Sequence, residues 1–127
     1  MRVYKTKWFG RWARREGLSD KLICVAIREV ERGLVDAALG GQLVKKRIGL
    51  PGRGKSGSVR TIIAYRAGDR AFCLYGFAKS QKDNIEKIEL EGLKKLSRQL
   101  FNLTEGELRR ALQEAALSEV RCHEQDT

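Results

Sequence analysis

The chain has 127 residues, 42% of them hydrophobic, with two Trp, three Tyr and four Phe. That is enough apolar material for one core and too little for two, so one domain is expected over residues 1–120, followed by a polar tail at 121–127. Lys and Arg number 26 against 16 Asp and Glu, a formal charge of +10, and a positive field of that size draws nucleic acid, an anionic membrane surface or an acidic partner protein.

Arg2 to Thr6 has the pattern of a short opening strand. A helix follows from Lys7, with Trp8, Phe9, Trp12 and Ala13 three and four apart, and Gly17 ends it. Ser19 and Asp20 are N-cap candidates for a second helix. Its apolar stripe is Leu22, Ile23, Ala26, Ile27 and Val30, and Gly33 is its terminator. The two helices form an expected hairpin. Leu34 to Gln42 is a Gly- and Ala-containing connection.

From Leu43 the period becomes two. Val44, Lys46, Ile48 and Leu50 share one face, and Leu43, Lys45, Arg47 and Gly49 the other, which is largely basic, as suits a strand with one open face. Pro51 to Ser58 holds three Gly, one Pro and two Ser, the composition of a loop. Val59 to Tyr65 and Arg70 to Lys79 read as two further strands, giving an antiparallel meander. After Asp83-Asn84 a long helix carries Ile85, Ile88, Leu93, Leu96, Leu100 and Leu103 on or near one face. Thr104 with Glu107 fits a capping box for a last helix. The fold class expected is α+β, with helices packed on a mostly antiparallel sheet.

No apolar run approaches the roughly 20 residues of a membrane span. Met1 to Lys5 lacks the apolar stretch of a signal peptide, so cytoplasmic residence is the default. The cysteines, Cys24, Cys73 and Cys122, are odd in number and widely spaced, and the one histidine, His123, lies in the polar tail. Neither a metal site nor a disulfide framework is expected, and Cys24 and Cys73 read as small core hydrophobes.

Two stretches could carry chemistry. Lys45, Lys46, Arg47, Arg53, Lys55 and Arg60 gather six basic residues on two strands and a Gly-rich loop. Such a loop lets backbone approach a phosphate, and its N–H groups can form an anion nest. Gly49 to Ser56 matches the string GxxxxGK[ST]. However, a phosphate-binding loop of that kind runs from a strand into a helix, and here Val59 to Ile63 is a strand pattern, so nucleotide hydrolysis is set aside. The second stretch is Tyr75 to Ile85. Tyr75 and Phe77 share strand parity with Lys79, and Lys82 follows; aromatic rings beside a basic groove hold single-stranded RNA. For Tyr75 and Phe77 the alternative is simple core packing, and for Lys79 a solvated strand end.

The succession of basic strand, Gly-rich basic loop, Ser58-Val59-Arg60-Thr61-Ile62-Ile63-Ala64-Tyr65, Leu74-Tyr75-Gly76-Phe77-Ala78-Lys79 and then Asn84-Ile85 opening a helix resembles RelE/HigB-type toxins of bacterial toxin–antitoxin pairs. The resemblance is strongest from Leu43 to Leu103. It implies a microbial RNase-like fold and cleavage of mRNA in the ribosomal A site; no cofactor is expected. It also implies a cognate antitoxin, often a helix-turn-helix DNA-binding protein. Arg60 matches the family's arginine at the start of the central strand, and Lys79 the basic residue after the last strand. Two departures stand out: Lys82-Asp83-Asn84-Ile85 holds neither the Tyr nor the His that many relatives carry there, and the helix from Thr104 exceeds the minimal fold.

RNA is cut when its 2′-OH attacks the adjacent phosphate, which requires a base, charge stabilisation and an acid. A His-poor chain must use Lys, Arg or Tyr, and a lysine base needs its pKa lowered by neighbouring cations or burial. Arg60 and Lys79 are the expected phosphate stabilisers, Lys55 or Lys46 the base, and Tyr65 or Tyr75 the acid. Lys45, Arg47, Arg53, Tyr65, Tyr75, Phe77 and Lys82 would bind RNA. Two alternatives remain open: a ParE-like poison of DNA gyrase, which shares the fold, and a basic nucleic-acid-binding regulator without activity.

Overall fold

The computed structural model describes residues 1–52, 57–80, 82 and 84–122. Its elements are β1 (Arg2–Thr6), α1 (Lys7–Glu16), α2 (Asp20–Glu31), β2 (Ala37–Gly40), β3 (Leu43–Ile48), β4 (Val59–Arg66), β5 (Arg70–Ala78), α3 (Lys87–Phe101), α4 (Glu105–Gln113) and β6 (Leu117–Val120). The strands form one sheet in the order β2-β3-β4-β5-β1-β6. Every neighbouring pair is antiparallel except β1 with β5, which is parallel.

Local chemistry sets the helix ends. The Thr6 hydroxyl accepts from the Phe9 amide, and Gly17 closes α1 in the left-handed region at φ 77. Ser19 caps α2 through the Leu22 amide, as expected from sequence. Thr104 and Glu107 make the expected capping box at α4. Glu86 and Glu89 make a second box at α3, so that helix begins at Lys87. Ile88 accordingly stands 79% exposed rather than on the apolar face.

Strand alternation divides the core in two. Val3, Ile48, Val59, Ile63, Ala71, Cys73 and Val120 meet Phe9, Trp12, Ala13, Ile23, Ala26 and Ile27 of α1 and α2. Tyr4, Leu43, Ile62, Ala64, Phe72, Leu74 and Leu117 meet Leu100, Phe101 and Leu108 of α3 and α4. The helices therefore cover both faces of the sheet. A bulge in β5, where Ile62 faces Tyr75 but Ile63 faces Cys73, lets Leu74 and Tyr75 pack on the same side. Such an extra residue re-aims the side chains beyond it.

Three features differ from expectation. The connection after α2 contains β2, a four-residue edge strand that turns into β3 through Gly40, Gly41 and Gln42, all at positive φ. The stretch after α4 contains β6, paired with β1. And Cys24 is bonded to Cys122, with Cα atoms 5.5 Å apart across 98 residues. Cys73 alone among the three is a free, buried thiol. Residues 123–127 of the expected tail, with His123, lie outside the described residues.

Candidate nucleic-acid interface

β3 ends, β4 begins and β5 ends at the same end of the sheet, because β3 and β5 both run antiparallel to β4. Register places Arg47 directly opposite Arg60, and Arg60 opposite Phe77. By alternation Lys45, Arg47 and Arg60 project on the face of Leu43 and Ile62, the side covered by α3 and α4. Arg47 is exposed and Lys45 and Arg60 are half-buried. Arg60 Nη1 donates to Ser58 Oγ at 3.0 Å. Lys79 is exposed just past the end of β5. Among the described residues no carboxylate pairs with Lys45, Arg47, Arg60 or Lys79. Like charges directly across a strand pair are unfavourable, so Arg47 and Arg60 hold a local positive potential that a bound anion would relieve.

Beside this face lies a polar triad. Tyr75 Oη donates to Glu89 Oε2 at 2.6 Å, and Lys82 Nζ donates to Glu89 Oε1 at 2.5 Å and to Tyr75 Oη at 3.4 Å. The Glu86 amide donates to Glu89 Oε1 at 3.0 Å. The Lys82 ammonium lies 5.6 Å and 5.7 Å from the Tyr75 and Phe77 ring centres, within cation–π range. Hydrogen bonds from Lys82, then Tyr75, then the Glu86 amide hold the Glu89 carboxyl at about 2, far below its usual range. The hydrogen bond to Glu89 raises the Lys82 ammonium. Partial burial, with the hydrogen bond to Glu89, raises the Tyr75 phenol. Glu89 is thus a fixed anion, Lys82 a fixed cation and Tyr75 a protonated donor.

Several expected residues stand elsewhere. Lys46 lies on the opposite face with Val44 and Ile48. Its Nζ pairs with Glu29 Oε1 at 2.9 Å and donates to the Leu34 carbonyl at 2.8 Å. It is separated from Arg60 by the thickness of the sheet. Tyr65 is half-buried on that same far side, packed against the core beneath α1 and α2. Phe77 lies on the Arg60 side but is only 3% exposed. It therefore supports Tyr75 and Lys82 from below rather than offering a free ring face. Arg53 and Lys55 fall outside the described residues.

Two residues join this region that sequence reasoning passed over. Glu89 is one; its signal was its place three residues after Glu86 at a helix start. Trp8 is the other, its ring stacked on Tyr75 at 4.9 Å and 25°. Next to Trp8 is an apolar groove of about 540 Å³, lined also by Lys7, Leu96, Gln99 and Leu103. Among the described residues no three His, Cys, Asp or Glu side chains gather to hold a metal ion, and no helix is long and apolar enough to cross a membrane. The face as built can bind phosphate through several cations, neutralise charge developing on it and donate a proton from a phenol.

Residues 1–120 match the family described as the RelE toxin of the RelE / RelB toxin-antitoxin system. No curated protein matches the chain significantly.

Proposed function

The chain belongs to the RelE toxin family, and on that premise we propose that it is a ribosome-dependent mRNA endonuclease that arrests translation in the cytoplasm. Its partners in this reading are the ribosome with its mRNA and a cognate antitoxin, a helix-turn-helix DNA-binding protein. The architecture is the microbial RNase-like fold, with α1 and α2 as its N-terminal helical hairpin.

The observation that carries the reading is the set of cations at one end of the sheet, Arg47, Arg60 and Lys79 with Lys45 behind them. No described carboxylate pairs with any of these, whereas Lys46 and Lys82 have ion-pair partners. Phosphate is the ligand that such a set suits. Arg60 and Lys79 stabilise the charge on the pentacoordinate phosphorus as the 2′-oxygen attacks. Lys45, Arg47 and Arg53 hold the flanking backbone. Tyr75, kept protonated, delivers a proton to the leaving 5′-oxygen, and Lys55 takes the one from the 2′-hydroxyl. With no histidine in this set, much of the rate comes from positioning on the ribosome.

The test is induced expression of the chain in bacteria, with mapping of mRNA 5′ ends in the first minutes. In-frame cuts within translated regions are expected, and Arg60→Ala should abolish both cuts and growth arrest without changing the circular dichroism spectrum. Growth arrest without cuts would point to a protein target such as DNA gyrase. Normal growth would point to a binding module without activity, and full toxicity of Arg60→Ala would overturn the site.

A further inference from the structure

β5 outlasts its neighbour. β1 pairs with β5 only as far as Lys5 with Cys73, and the chain then turns at Thr6 directly into α1. The last residues of β5 therefore have a helix, not a strand, along that edge. Two tryptophans one helical turn apart fill the place. Trp12 lies so close over Gly76 that a Cβ there would sit 2.3 Å from its ring atoms, and it is 4% exposed. Trp8 stacks on Tyr75 and remains 45% exposed. Trp12 is core, while Trp8 leaves nearly half of the largest aromatic side chain in water.

From Trp8 a line of rings leads back to the cations. Tyr75 and Phe77 are 6.2 Å apart between centroids, and Phe77 is the cross-strand neighbour of Arg60. Lys82 lies over both rings, and Lys7 adjoins Trp8 in the chain. The groove beside Trp8 has room for a planar base and carries the Gln99 amide among its apolar walls. We propose that Trp8 is a stacking platform for a nucleobase of single-stranded RNA, one or two nucleotides from the phosphate held by Arg60. This rests on the RNA-cleaving reading of the neighbouring face. The charge of the molecule and the continuity of the ring line with the cationic end favour a nucleic acid over the apolar side chain of a protein. A base stacked on an aromatic ring is sequence-tolerant, because every base offers a π face.

Binding of a short single-stranded RNA, and of an abasic sugar-phosphate oligonucleotide of equal length, separates the contributions. Trp8→Ala should weaken RNA binding on the order of ten- to a hundredfold, leave the abasic strand unaffected, and remove the quenching of tryptophan emission that RNA produces. Trp8→Phe should restore most of the affinity, which a merely structural role of the indole would not allow. Arg60→Ala should weaken both ligands alike. Unchanged RNA affinity in Trp8→Ala, equal loss for both ligands, or no RNA binding by the unaltered protein would each overturn the proposal. So would a Trp8→Ala protein whose only loss is association with a co-expressed protein. Stacking retained in a protein that cuts no mRNA would overturn the endonuclease reading alone.

Discussion

Replacing Cys24 and Cys122 by serine opens a loop that spans nearly the whole chain, and the cost can be worked from its length. Closing a loop of 98 residues restricts the unfolded chain by about 4.7 kcal/mol at room temperature on the loop-closure expression. That figure lies near the top of the measured losses for native disulfides, which run about 2–5 kcal/mol. At a urea slope of about 1.5 kcal/mol per molar, it corresponds to a midpoint lowered by roughly 3 M. The local consequence is a loosened edge. Cys122 follows β6, which pairs only with β1, and the bond ties that strand to α2. Urea titration followed by far-ultraviolet circular dichroism, with and without reductant, measures the loss. A thiol count on the denatured, unreduced protein should give one, the thiol of Cys73. A count of three, or superimposable unfolding curves in the two buffers, would refute the reasoning. Because Cys122 is exposed, a reducing compartment should produce the weaker form of the protein in place.

Gly76→Ala should cost about 1–3 kcal/mol by overpacking against Trp12, which lowers Tm by roughly 4–11 °C for a chain of this size; an unchanged melting curve would mean that Trp12 moves freely. The Glu89 carboxyl sits at about 2 when folded, below its unfolded value. Its contribution to stability is therefore present above the ordinary carboxylate range and lost as pH falls from about 4.5 to 2. Melting temperatures across that window should fall more steeply for the unaltered protein than for Glu89→Gln, and parallel curves would count against the triad. Arg47→Ala should reduce the salt slope of RNA binding by about 1 with little change in Tm. Lys46→Met should do the reverse, lowering Tm through the loss of its contacts to Glu29 and Leu34 while leaving the slope intact.

Much of the fold is written locally. The caps at Ser19 and Thr104 are side-chain choices at fixed spacing, and the period-two pattern from Leu43 assigns each side chain of β3 to its correct face. That alternation already set Lys46 with Val44 and Ile48. Its charge drew it into the basic cluster, and only the long-range partner Glu29 shows why a lysine sits there. β2 and β6 left little trace because each is four residues long, with Ala-Ala-Leu-Gly and Leu-Ser-Glu-Val held by main-chain bonds to a neighbour rather than by strong alternation. The pairing of β5 with β1 joins segments about seventy residues apart and decides where the sheet stops. That stopping point leaves Trp8 exposed beside a buried Trp12, which a helical pattern treats as one stripe. A covalent link across 98 residues likewise has no local signature.

Two groups of charges differ in a way that bears on mechanism. Arg2 with Glu105, Lys5 with Asp20, Lys46 with Glu29 and Lys82 with Glu89 are matched pairs that join separate elements. Their energies are spent within the fold. Arg47 and Arg60 oppose one another across two strands instead, an arrangement that stability alone does not select. Beside them the Glu89 carboxylate is already held by three donors and is too weak a base to take a proton from a ribose hydroxyl. It holds Lys82 and Tyr75 together instead. The described face is consequently strong in fixed positive charge and weak in proton acceptors. Under the proposed function, such a face stabilises a transferring phosphate first and takes its base from elsewhere, either the basic sequence before β4 or the ribosome.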